Sequence, residues 1–288
     1  MFNEYTVDNM VGKAKRLNRI FSGGKSLITP LDDSLISGPN IGLDVLEEKL
    51  KNINKGLPSG ILAYPGTLKI LSRVNMNIPT ILNVTASTSL STPNNKIQVF
   101  DVKKAVALGC DGVAIHINFS SKFEGQMLKN FKCVSEQCEE YGVPLMVIAY
   151  PRKEVSNNIS LSDDYLKWKE CDNDKYTEIV SHCVRASFEL GADIIKTHYT
   201  GSKDSFTKIV NAASGVPVLI SGGRFLSEFE LFTMCRNAID AGASGACIGR
   251  NVFSRKNSEE IISLLKDIIF NNLSVAEATN KLREENKL

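Results

Sequence analysis

Short apolar runs alternate with longer amphipathic ones along almost the whole chain. The apolar runs occupy residues 26–31 (SLITPL), 60–64 (GILAY), 80–85 (TILNVT), 112–118 (GVAIHIN), 144–150 (PLMVIAY), 192–198 (ADIIKTH), 217–221 (PVLIS) and 244–249 (SGACIG). Each is rich in β-branched residues and almost continuously apolar, the pattern of a parallel strand covered on both faces. Between them, apolar positions recur at helical spacing over residues 43–53, 102–108, 127–141, 175–190 and 228–241. These segments run into Gly56, Gly109, Gly142, Gly191 and Gly242, the residue type that most often follows a helix end. Residues 7–21 predict an additional basic helix ahead of the first strand. Residues 259–269 and 275–282 predict a closing pair.

Eight strands alternating with helices in a chain of 288 residues predict an α/β architecture. The expected form is one (β/α)₈ TIM barrel over residues 1–288, with an extra N-terminal helix and C-terminal helices. A doubly wound sheet is the alternative, and no GxGxxG follows any strand to support it. The polar stretch at 152–174 follows the fifth strand. It reads either as a solvated loop or as a lid over the barrel rim.

Composition narrows the function classes. Lys and Arg number 34 against 32 Asp and Glu, so the net charge of +2 offers no global field for nucleic acid. No apolar run approaches the roughly 18 residues of a membrane span. The first ten residues, MFNEYTVDNM, lack the basic-then-apolar layout of a secretion signal. Seven cysteines at irregular spacing, several inside apolar runs, fit small buried hydrophobes in a reducing cytoplasm better than a disulfide framework. Cys133 and Cys138, five apart on a helix, are expected only to pack. With three histidines, one of them (His182) on an amphipathic helix, no histidine-rich metal site is expected.

In such a barrel the chemistry sits at the C-terminal ends of the strands. There the sixth apolar run places Lys196 and His198 on one face. A lysine inside an apolar strand is unusual. Desolvation would lower its pKa and free the amine to attack a carbonyl and form a Schiff base. A plain ion pair with Asp32 or Asp193 is the competing explanation. Asn83 and Thr85, and His116 and Asn118, share faces by the same alternation. Tyr150 is a proton shuttle or a packing side chain, and Arg152 follows it. Asp32 is an acid/base group or the N-cap of the next helix. The turns Ser221-Gly222-Gly223-Arg224 and Gly249-Arg250-Asn251 expose backbone N–H groups and arginines where barrels commonly bind phosphate, although tight turns need glycine in any case.

The runs LDDSLISGP (31–39), YPR (150–152), GADIIKTHYTGS (191–202), SGG (221–223) and IGRNVF (248–253) resemble the archaeal-type class I aldolases, a DhnA/DeoC-LacD-like family. TASTSL (85–90), GVAIHIN and YPR are most similar to the branch of 2-amino-3,7-dideoxy-D-threo-hept-6-ulosonate synthases. The resemblance implies a metal-independent enzyme without a cofactor, in which Lys196 forms an imine with a phosphorylated keto substrate. Tyr150 and Asp32 would move protons, and an aldehyde such as L-aspartate semialdehyde would accept the enamine. Asp33, His116, Asn118, Arg152, His198, Ser221, Gly222, Gly223, Arg224, Gly249 and Arg250 would bind substrate or phosphate. It further implies a ring-shaped homo-oligomer, often a decamer. Fructose-1,6-bisphosphate aldolase and a catalytically silent sugar-phosphate sensor are the alternatives. Three positions depart from the family pattern. Asp32-Asp33-Ser34 replaces the usual DHG, Asn83 stands where the branch commonly has histidine, and Arg224 follows the double glycine in place of Pro-Lys.

Overall fold

All eight apolar runs form parallel strands, and their hydrogen bonds join them into a closed ring. The computed structural model describes residues 4–39, 42–152 and 172–285. Its strands are β1 (Ser26–Pro30), β2 (Gly60–Ala63), β3 (Thr80–Asn83), β4 (Thr85–Ala86), β5 (Ile97–Gln98), β6 (Gly112–Phe119), β7 (Leu145–Pro151), β8 (Ile194–Thr197), β9 (Val218–Ser221) and β10 (Gly245–Cys247). The barrel runs β1-β2-β3-β6-β7-β8-β9-β10 and back to β1. Closure pairs Ser26 with Gly245. Gly245 has φ 135°, and a Cβ there would lie 1.8 Å from the Ser26 carbonyl oxygen, so only glycine lets these strands meet.

One expected strand divides. Residues 80–85 do not continue straight, because β4 leaves the barrel and pairs antiparallel with β5. The Asn83 Oδ1 takes the backbone N–H and the hydroxyl of Thr85, both at 3.1 Å, which fixes the bend. Asn83 and Thr85 therefore lie on two different strands. Helices absent from the sequence reading occupy Asp33–Ser37, Pro65–Arg73, Lys203–Ala212 and Arg250–Phe253. The lid expected within 152–174 falls almost wholly on residues 153–171, outside the described residues.

The N-terminal helix α1 (Glu4–Ile20) closes the barrel floor. Leu17, Ile20 and Phe21 pack against Ile28, Leu62, Ile81, Met146, Ile194 and Leu219 inside the barrel. Two of its basic residues, Lys13 and Arg19, meet aspartates that immediately precede strands. Lys13 pairs with Asp193 at 3.0 Å and with Glu139, and Arg19 pairs with Asp111 at 2.8 Å. The same two aspartates accept the backbone N–H of Thr80 (Asp111, 3.0 Å) and of Leu145 (Asp193, 2.8 Å), tying neighbouring strand starts together. The floor is thus apolar within and charge-paired at its edge.

Candidate active site

At the opposite end, where the strands finish, the barrel opens into a cavity of about 510 Å³. Lys196, Tyr150, Asp32, Asp33, His116, Asn118, Arg152, His198, Ser221, Gly222, Gly223, Gly249 and Arg250 all line it. Arg224 does not. It is exposed and lines a neighbouring cavity with Phe229 and Glu230.

Lys196 stands on β8 and is 7% exposed. Among the described residues it makes no ion pair within 4.0 Å, and its hydrogen-bond partner is Cys247 on β10. Asp193 is committed to Lys13 at the far end of the barrel, so the simple lysine–aspartate pair suggested by the sequence is not formed there. The electrostatics correct the expectation of a lowered lysine pKa. Burial pulls the ammonium down, whereas Cys247, Tyr150 and Asp32 act upward, and the net direction is up. Cys247 is itself pushed up to about 11, chiefly by burial, so near neutral pH its thiol is protonated. Asp32 then remains as the carboxylate partner in Lys196's surroundings. In its protonated form the lysine must lose a proton to a neighbouring base before it can attack.

Asp32 does not serve as a helix cap. It occupies the N-cap position of Asp33–Ser37 without a side-chain hydrogen bond to that helix. Its Oδ2 instead accepts from Asn83 Nδ2 at 2.8 Å. Asp33 faces Arg250 at 3.9 Å. Burial raises the Asp33 pKa, against the pull of Arg250.

Tyr150 is sandwiched between two imidazoles. Its ring stacks on His198 with centroids 4.0 Å apart and meets His116 edge-on at 5.1 Å. The Arg152 guanidinium lies over the same ring at 5.4 Å. His198 is anchored from behind by Tyr176, whose hydroxyl is 2.8 Å from Nδ1. Burial, then the positive charges of Lys96, Arg152, Lys196 and His198, hold His116 well below the ordinary histidine pKa, so it is neutral. His182 is exposed on the outer helix Asn173–Glu189.

The turn after β9 is built by a residue whose role the sequence left unread. Asn251 is fully buried. Its Nδ2 donates to the carbonyls of Gly222 (3.0 Å) and Arg224 (2.7 Å), while its Oδ1 accepts from Leu226 N at 2.8 Å. Gly223 takes φ 62°, the left-handed conformation that turns the chain here. The Ser221 hydroxyl, buried at the end of β9, has no hydrogen-bond partner among the described residues. A turn with clamped carbonyls, a spare hydroxyl and Arg250 across the gap suits a phosphate.

Sequence reasoning missed a second group of residues. The segment between β4 and β5 lies over the mouth and contributes Ser89, Pro93, Asn94 and Lys96 to the cavity. It is pinned by Ser89 N to Ile36 O (2.9 Å), Ser87 Oγ to Pro93 O (2.7 Å) and Asn118 Nδ2 to Asn94 O (3.0 Å). Lys96 is buried and donates to Ser87 Oγ at 2.6 Å. No local pattern in STPNNKIQ marks that lysine as buried; tertiary contact alone does so. Among the described residues no cluster of three or more His, Cys, Asp and Glu side chains could hold a metal ion. None of their helices is long and apolar enough to cross a membrane.

The family model of the DeoC/LacD family aldolases matches residues 27–255. The chain is similar to the 2-amino-3,7-dideoxy-D-threo-hept-6-ulosonate synthase 1 of Archaeoglobus fulgidus, at 33% identity over 272 residues, 93% of this chain and 95% of that protein. The corresponding synthase of Halobacterium salinarum is 30% identical over 262 residues, 90% of this chain and 91% of that protein. Among solved structures, a Schiff-base-forming fructose-1,6-bisphosphate aldolase is similar at 26% identity and a TM-score of 0.76, covering 90% of this chain and 100% of that one.

Proposed function

The chain belongs to the DeoC/LacD family of aldolases, and from that premise we propose that Lys196 is the imine-forming residue of a metal-independent aldol transfer on a phosphorylated keto sugar. The observation that carries this reading is Lys196 itself: a buried lysine with no ion pair among the described residues, at the strand end where barrel chemistry occurs, lining one cavity with Tyr150 and Asp32.

The steps follow from the groups present. Asp32, oriented by Asn83, removes a proton from the Lys196 ammonium, and Nζ adds to the substrate ketone, whose oxygen takes a proton from the Tyr150 hydroxyl. The resulting carbinolamine loses water to give the iminium ion. A base then takes the proton of the hydroxyl two carbons from the iminium carbon, and the intervening carbon–carbon bond breaks. Its electron pair moves to the nitrogen as an enamine, and the first aldehyde leaves. In a transfer, the enamine carbon attacks a second aldehyde, whose oxygen takes up a proton, and water releases the new ketone from Lys196. The phosphate of the keto substrate would rest on Ser221, Gly222, Gly223 and Arg250. Arg224, on the neighbouring cavity, would act at most on its entry.

The relatives named as synthases support L-aspartate semialdehyde or a related aldehyde as acceptor, in a biosynthetic transferase. The likeness to a fructose-1,6-bisphosphate aldolase supports glyceraldehyde 3-phosphate as the second reading. The exposed rings of Phe225 and Phe229 suit the expected homo-oligomer. The test is borohydride reduction in the presence of dihydroxyacetone phosphate, read by intact mass. An adduct on the native protein and none on Lys196→Ala is expected. If a panel of keto phosphates leaves no adduct on Lys196, the proposal fails. Rates with the two acceptors then choose between the branches.

A further inference from the structure

The cavity holds a second buried ammonium that the steps above leave unused. Lys96 is 4% exposed, and among the described residues it makes no ion pair within 4.0 Å. Its hydrogen-bond partner among the described residues is a neutral hydroxyl, Ser87 Oγ. Such a cation is costly to bury, and an apolar side chain of similar length would fill the space more cheaply. Beside it, Asn94 Nδ2 is buried with no acceptor among the described residues. Burial, and after it the charge of Arg152, depress the ammonium to about 8 against the weaker upward pull of Asp32 and Asp33. The wall carries the unmatched acceptors Asn95 Oδ1 and Asn118 Oδ1 as well as the Asn94 donor, but its buried full charge without a close counterion among the described residues, Lys96, is positive, which suits an anion.

Its position separates it from the phosphate turn. The turn and Arg250 follow β9 and β10, whereas Lys96 and Asn94 lie over β6 and Arg152 follows β7. The strand carrying Lys196, β8, stands between the two groups in the barrel order. A substrate bound through Lys196 with its phosphate on the turn would direct its growing end toward Lys96.

Resting on the imine reading above, we propose that Lys96 and Asn94, with Arg152 beside them, form a second anion subsite that selects acceptor aldehydes carrying a carboxylate or a phosphate. The charged group of the acceptor would take the Lys96 ammonium as its counterion and the Asn94 amide as a second donor. The new carbon–carbon bond would then form between two anchored ends.

The experiment compares three acceptors on native protein, Lys96→Met and Lys96→Arg: succinic semialdehyde, glyceraldehyde 3-phosphate and uncharged glyceraldehyde. Borohydride trapping with dihydroxyacetone phosphate serves as the check that each variant is folded and still holds the keto substrate. Lys96→Met is expected to lower kcat/KM for a charged acceptor at least about tenfold more than for glyceraldehyde, with part of the loss restored by Lys96→Arg. Whichever charged aldehyde suffers more identifies the anion as carboxylate or phosphate. Equal losses on all three acceptors, or none, would overturn the subsite. Should native protein form no adduct at all, the imine reading falls separately. Calorimetric titration with succinate still decides the subsite: a dissociation constant at least about tenfold weaker in Lys96→Met sustains it, and an unchanged one ends it.

Discussion

The two ends of this barrel are made from the same strands and obey opposite rules. At the floor, α1 drives Leu17, Ile20 and Phe21 into an apolar interior, and the cations Lys13, Arg16 and Arg19 all find acceptors. At the mouth, the Ser221 hydroxyl, Asn94 Nδ2, His116 Nε2 and Asn118 Oδ1 are buried without partners among the described residues. Buried polar atoms are normally satisfied, because each one left alone costs about 1–3 kcal/mol. The floor is therefore optimised for the protein's own stability. The mouth leaves unmatched several polar groups that a bound substrate could engage, as the proposed function requires.

Substitutions at the two ends should separate activity from stability. The largest effect is expected from Lys196→Met, which should reduce turnover by at least about 10⁴-fold while the thermal midpoint holds or rises, since a buried cation is removed. Steady-state rates alongside a melting curve would measure both; a substantially lowered midpoint would mean that the lysine is structural. The reverse is expected of Ile20→Ala at the floor. It should lose about 2–5 kcal/mol in urea unfolding, with kcat per folded molecule unaltered.

A third measurement uses the buried cation at the mouth. Lys96 gives up its proton at about 8 in the folded protein and at 10.5 in an unfolded chain. Its folded pKa is lowered, so its charge opposes folding below pH 8 and that opposition fades as pH rises toward 10.5. Native protein should therefore gain up to roughly 3 kcal/mol relative to Lys96→Met across that window. Parallel stability curves for the two proteins would contradict it. The smallest change is expected from Asn251→Ala, which frees the carbonyls of Gly222 and Arg224. We expect a loss of about 1–3 kcal/mol, read mainly as a raised KM for the phosphorylated substrate with kcat little altered.

The barrel was legible because each of its strands is a short apolar run covered on both faces, so burial is written into local composition. The helix Lys203–Ala212 escaped notice because its start is a Ser202–Ser205 capping box in place of the more familiar serine–glutamate pairing. The β4–β5 pair consists of two-residue strands joined across the mouth, too short for any alternation to register. Within the site, polar residues interrupting apolar strands stood out: Lys196, His116 and Asn118 could be placed by alternation alone. Lys96 and Asn94 could not, since they occupy a polar loop and are buried only by what that loop covers. Asn251 was read as part of a glycine turn, yet its contacts clamp a different loop, about 25 residues earlier in sequence. The sign of the Lys196 shift was also beyond the sequence. It depends on Cys247, which a linear reading treats as a core methyl-sized filler.

The plug formed by α1 gives the reaction a traffic rule. A barrel sealed below is a blind well, and everything that enters must leave by the opening that the Ser89–Lys96 crossing already narrows. In a transfer between two aldehydes, the departing one has to vacate that passage before its replacement can descend. The enzyme should consequently run as a shuttle, with parallel double-reciprocal lines for its two substrates. Each incoming aldehyde should inhibit at high concentration by occupying the well before the keto sugar has delivered its carbons.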